Sequence, residues 1–89
     1  MAIWLDPPRW PAHGRLWSHL ISDVSYDELH TFVAAELGIP RRAFQGDHYD
    51  IPEDLYDIAV AAGAQPVGAR ELLSRLLAAG LRVRKPRGA

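Results

Sequence analysis

A helix stop used three times restricts this chain more than any other feature: Leu37-Gly38-Ile39, Ala62-Gly63-Ala64 and Ala79-Gly80-Leu81. Each sets a glycine after an amphipathic run and an apolar residue after the glycine. That is how a helix ends in the left-handed conformation and hands over to an extended segment. The stops are unequally spaced, so the chain is no tandem repeat. Before the first stop, Ser25-Tyr26-Asp27-Glu28 has the form of a capping box, and Leu29, Phe32, Val33 and Leu37 share one face, which predicts a helix over 26–37. Asp50-Ile51-Pro52-Glu53 repeats the pattern with proline in the first turn. It predicts a second helix from about Pro52, capped by Asp50, with Leu55, Ile58, Ala59 and Ala62 turned inward. A third is expected from Ala69 to Ala79, packed by Leu72, Leu73, Leu76 and Leu77.

Between the helices lie short strand candidates: Ala2 to Leu5, Leu16 to Ser22, Ala43 to Gln45 and Ala64 to Val67. Residues 7–14 hold three prolines and a glycine and are expected to form a fixed loop. Strands alternating with helices argue an α/β domain of two or three layers. The expected sheet is largely parallel, with three or four strands covered by three helices. At 89 residues there is room for one such core. Residues 1–81 are expected to form it, and the basic residues 82–89 a flexible tail. The apolar fraction of 48% is too high for disorder, yet no run reaches the roughly 18 to 20 residues that span a bilayer. The first apolar run meets Asp6 and Pro7-Pro8, unlike a signal peptide, so a cytoplasmic protein is expected.

Chemistry is narrowed by what is missing. With no cysteine, disulfides, thiolate catalysis, iron–sulfur clusters and cysteine-bound zinc are excluded. There is no glycine-rich phosphate loop and no Gly-x-Ser-x-Gly elbow. Imidazole and carboxylate remain. In an open parallel sheet, ligands bind beyond the carboxyl ends of the strands. Asp6, Asp23 and Asp47-His48-Tyr49-Asp50 follow the expected strands, so Asp6, Asp23, His48 and Asp50 are expected on one rim. The candidate catalytic residues are His13, His19, Asp23, His48 and Asp50. Asp6, Trp10, Trp17 and Tyr49 are candidate ligand contacts. A divalent metal would take His13, His48 and Asp50, with His19 as a further donor. Those side chains suit Zn, Mn or Fe, although no spacing matches a metal motif.

Plainer roles compete. Asp23 sits where it satisfies helix amides, Asp50 where it caps a helix, and Asp47 follows a glycine in a turn. His19 shares a strand face with Trp17 and reads as a buried histidine. His30 reads as a packed residue beside the stripe of its helix. His48, between two acids, should have a raised pKa. Charge is segregated, with nine acids against Arg41 and Arg42 over residues 23–57, and six bases against Glu71 over 58–89. Two function classes follow. One is a polar His/Asp site for a small, phosphorylated or nucleotide-like ligand or a metal, with hydrolysis as its chemistry. The other is a non-catalytic module that meets nucleic acid or protein through Trp10 and the arginine-rich tail. Sheet edges allow a monomer or a homodimer.

The segments His13-Gly14, Trp17-Ser18-His19-Leu20-Ile21-Ser22-Asp23, Glu28-Leu29-His30, Gly46-Asp47-His48-Tyr49-Asp50 and Arg70-Glu71-Leu72 together resemble a family of small bacterial proteins. That family is catalogued as domain of unknown function 4031. The resemblance covers almost the whole chain. It implies a stand-alone cytoplasmic domain and no particular activity. It singles out His13, Trp17, His19, Asp23, His30, His48 and Asp50.

Overall fold

One eight-residue strand, β3 (Arg15–Ser22), organises the fold. The structure, a computed structural model, describes residues 2–83. Of the expected tail, Arg82 and Val83 fall within that range and residues 84–89 lie outside it. Along one edge of β3, β1 (Ile3–Leu5) pairs with Ser22 to Leu20 and β2 (Trp10–Ala12) pairs with Trp17 to Arg15, both antiparallel. Strands β1 and β2 are therefore two pieces of one hairpin arm. Pro7 and Pro8, which have no N–H, interrupt the ladder between them. Beside the gap, Asp6 N donates to His19 O at 3.3 Å and Arg9 N to Trp17 O at 3.2 Å. The hairpin turns through His13 and Gly14, with φ of 52° and 73°, between the paired Ala12 and Arg15. Positive φ at both loop residues is the type I′ turn, whose twist matches that of the strands.

The other edge of β3 carries β4 (Tyr49–Pro52), again antiparallel. It is reached through α1 (Tyr26–Phe32), which runs on as a π-helical turn to Leu37 and stops at Gly38 with φ of 66°. A 3-10 turn over Glu53–Leu55 then leads into α2 (Tyr56–Ala61). The two-residue β5 (Gln65–Pro66) pairs parallel to β1, and α3 (Ala69–Ala78) closes the domain. The five-stranded sheet is thus mixed and mostly antiparallel, where the sequence predicts a largely parallel one. A parallel neighbour needs a crossover of about a dozen residues, whereas the His13-Gly14 turn folds the first arm straight back onto β3. Residues 7–14 are likewise not all loop. Trp10–Ala12 is a strand, and Pro11 is tolerated because β2 is an edge. Of Ala43-Phe44-Gln45, Ala43 ends a 3-10 turn begun at Arg41 and Phe44 makes a single bridge to Tyr49, in place of the expected strand. Asp50 lies within β4 and caps no helix.

Strand alternation divides the side chains between two faces. Leu5, Leu20, Tyr49 and Ile51 point to one side, where they bury against Leu29 and Val33 of the first helix and Ala59 of α2. Trp4 and Ile21 point to the other side and pack against Leu72 and Leu76 of α3. Arg75 lies over the Trp4 ring, 3.7 Å from its centroid, a cation–π contact. The result is three layers with the sheet in the middle. On the second face α3 covers the Ile21 end of β3. The Trp17 and His19 end is only partly buried. Among the described residues, no helix is long and apolar enough to cross a membrane.

Candidate metal centre

The open end of that second face holds the polar chemistry. The period of two puts Trp17 and His19 on it together. Strand register brings Trp10 opposite Trp17 and Asp50 opposite His19. Asp6 follows Leu5 and turns to the same side. The aromatic rings stack in a row: Trp10 lies 6.0 Å from Trp17 and 5.6 Å from His19, at interplanar angles of 26° and 23°.

Asp6 is almost fully buried, and both its oxygens are used on one residue. Oδ1 accepts the His19 backbone N–H at 2.6 Å, and Oδ2 lies 2.8 Å from His19 Nδ1. Between this carboxylate and the face of Trp10, the His19 ring has its position and tilt fixed. A second carboxylate–imidazole pair is built by a tight turn. Gly46, at φ of 91°, lets Gln45 N reach His48 O at 2.8 Å and turns Asp47 inward. Asp47 is 3% exposed. Its Oδ1 lies 2.6 Å from His48 Nδ1, while Oδ2 accepts from Val83 N at 2.9 Å and lies 3.5 Å from Arg82 Nη1.

The other His48 nitrogen, Nε2, lies 3.1 Å from Asp50 Oδ1. That oxygen is buried and has no donor aligned on it, so the contact is charge against charge rather than a formed hydrogen bond. Burial alone lowers the pKa of His48. The close approach of Asp50 at 3.1 Å, then the hydrogen bond and charge of Asp47, outweigh it, and the net result is a pKa above the ordinary 6.5. The two carboxylates favour the protonated form of His48.

Donor atoms of His19, His48 and Asp50 lie within 4.8 Å of one another. Both imidazoles commit Nδ1 to a carboxylate, so each has Nε2 to offer a ligand. A carboxylate behind each metal-binding histidine, fixing tautomer and ring orientation, is the usual outer shell of a metal site. Two imidazoles and one carboxylate form a known donor set for catalytic zinc and for non-haem iron(II).

Of the sequence-predicted residues, the fold brings together His19, His48 and Asp50, with Asp6 and Trp10 directly behind His19 and Trp17 one ring further back. It leaves out His13, which sits exposed at the hairpin tip, so of the expected donors His13, His19, His48 and Asp50 only the last three come together. It leaves out Asp23, whose carboxylate accepts from Ala2 N at 3.2 Å and Trp4 Nε1 at 2.9 Å and so ties down the start of β1. It turns Tyr49 to the opposite face, where its hydroxyl meets His30 Nδ1 at 2.7 Å. His30 packs edge-on against Phe44 and Tyr49; burial, then Arg41, lowers its pKa. Asp47 and Arg82 also stand at the site, although neither is among the sequence-predicted residues. Asp47 had a signal, its place beside His48. Arg82 had none, because only tertiary packing carries it there.

The model of a family described as Protein of unknown function (DUF4031) matches residues 3–79, a span that holds every strand and helix of the fold. No curated protein and no solved structure matches the chain.

Proposed function

We propose that this chain, which the match over residues 3–79 places in the DUF4031 family, is a metal-dependent hydrolase. A single divalent transition-metal ion would be held by His19, His48 and Asp50. One observation carries this proposal. Two histidines, each anchored through Nδ1 by a buried aspartate, converge with a buried Asp50 oxygen that lacks an aligned donor. Three protein ligands would leave an open position, and a divalent ion there would lower the pKa of bound water toward about 7. The protein's own part is preorganisation. Asp6 and Asp47 orient the imidazoles through Nδ1, and Trp10, itself stacked on Trp17, covers one face of the His19 ring. Because the His48 pKa is raised, a metal ion at Nε2 would compete with a proton there.

Calorimetric titration of the chelator-treated protein with Zn(II), Co(II) and Mn(II) tests this. One ion per chain is expected, lost in His19→Ala, His48→Ala and Asp50→Ala and kept in His13→Ala and His30→Ala. Absence of binding in the wild type overturns the proposal. The alternative, a binding module that stacks Trp10 on a base, has less support, because that ring already stacks on Trp17 and His19.

A further inference from the structure

Two leucines of α3 stand in water where the sequence predicts core. Leu73 and Leu77 are 41% and 46% exposed, while their neighbours Leu72 and Leu76 are buried. They are one helical turn apart, and they border the metal-binding face. Two clefts meet there. One, of about 350 Å³, runs from Asp6 and His19 toward Ile21 and Leu72. The other, of about 480 Å³, runs between Leu77, Gln45 and Val83. They share His48, Leu73 and Arg82. Each is in the range of a small-molecule site.

Arg82 stands at their junction. Its one ion pair among the described residues is a 3.5 Å contact from Nη1 to Asp47 Oδ2, an oxygen already served by Val83 N at 2.9 Å. A guanidinium carries five N–H donors in a fixed fork, so most of them remain for another anion. Charge sets how much anion the site takes. Asp6, Asp47 and Asp50 bring three negative charges, which a divalent ion and Arg82 balance. With the attacking hydroxide the site carries one negative charge, so a singly charged group is added at less electrostatic cost than a doubly charged one.

We propose that the substrate is a phosphodiester. It carries one negative charge and two substituents that leave phosphorus in different directions, as the two clefts do. Its phosphate lies between the metal and Arg82, and an apolar or ring-bearing substituent lies along Leu73 and Leu77. This rests on the metal centre proposed above. In the reaction the oxygen of metal-bound hydroxide bonds to phosphorus as one ester P–O bond breaks. The departing alkoxide takes up a proton from water. The products are a phosphomonoester and an alcohol, with no change in oxidation state.

The probes are bis(p-nitrophenyl) phosphate, p-nitrophenyl phosphate and p-nitrophenyl acetate, given to the Zn(II)- or Mn(II)-loaded protein. Metal occupancy is measured by calorimetry on the same samples. Metal-dependent release of nitrophenol is expected from the diester, with kcat/KM at least tenfold above that for the other two. Arg82→Gln should lower diester kcat/KM about 10- to 100-fold, with metal affinity kept and partial rescue by Arg82→Lys. Leu73→Asp, a change at an exposed position, should raise KM. Metal bound without diester preference, or an Arg82→Gln variant with wild-type kinetics, overturns the substrate assignment and leaves the metal centre standing. Failure to bind metal overturns both.

Discussion

Replacing Asp6 by asparagine changes one oxygen to an amide nitrogen and leaves the volume intact. The His19 backbone N–H needs an acceptor, so the asparagine oxygen takes the place of Oδ1, 2.6 Å from that nitrogen. The amide nitrogen then faces His19 Nδ1, now 2.8 Å from a carboxylate oxygen, and donates to it. Nδ1 becomes an acceptor and the ring proton moves to Nε2, the atom needed by the metal. Ligation would have to break the new hydrogen bond and restore the other tautomer. A charge-assisted bond contributes about 1.5–3 kcal/mol, equivalent to roughly 10- to 100-fold in Kd. The same range holds for loss of outer-shell partners in metal sites. The fold should lose about 1–2 kcal/mol, because one acceptor remains and only its charge is gone. For a domain of this size that is a fall in Tm of about 4–16 °C. Competition for Zn(II) against a chromophoric chelator gives the affinity, and circular dichroism melting gives the stability. Asp6→Asn that melts lower yet binds Zn(II) within about threefold of wild type would refute the reasoning and reduce Asp6 to a fold anchor. Asp23→Asn is the contrast, expected to melt lower with unchanged metal affinity.

Other predictions come from the same geometry. The His48 pKa is raised above 6.5, so its contribution to stability is full below about 6.5 and lost as pH rises through the folded value. The metal-free protein should therefore melt lower at about pH 8.5 than at about pH 6, His48→Gln should flatten that slope, and an unflattened slope would contradict the assignment. Zn(II) stabilisation should run the other way and grow with pH, because the ion displaces a proton. His13→Asn puts the preferred residue at a turn position with φ of 52° and should raise stability by a few tenths of a kcal/mol with metal affinity unchanged; loss of affinity would return His13 to the site. Leu20→Ala empties a fully buried position between β1 and β4 and should cost about 2–5 kcal/mol by urea denaturation. Ser18, buried with its Oγ unpartnered, should tolerate Ala with no loss of stability, since no hydrogen bond is removed.

What could be read from the sequence was local. The Ser25 hydroxyl does accept from Glu28 N, at 3.0 Å, though the Glu28 side chain binds Ser22 Oγ rather than closing the box. All three glycine stops adopt positive φ. What failed depended on long-range pairing. Tyr49-Asp50-Ile51-Pro52 alternates buried and half-buried residues as a strand does, but its acid and proline also satisfy the rule for a helix start. The His13-Gly14 turn held the antiparallel topology, and it is concealed among prolines that look like loop. The site followed the same division. His48 and Asp50 are near neighbours in sequence, so grouping them needs no tertiary information. The partnership of His19 with Asp6 needed the register of β1 on β3, which periodicity does not supply. Leu73 and Leu77 repeat at helical spacing like core residues. Only the small area of sheet beneath α3 decides that Leu72 and Leu76 are covered and these are not.

The central claim is a metal ion on two imidazoles and one carboxylate. X-ray absorption at the zinc edge, on protein loaded with one equivalent of Zn(II) and freed of excess metal, tests it most directly. Retained zinc is expected, with two imidazole nitrogens at about 2.0 Å and oxygen ligands completing the shell, and one imidazole contribution should be lost in His19→Ala. Zinc that washes away, or a spectrum of oxygen ligands without imidazole scattering, would contradict it.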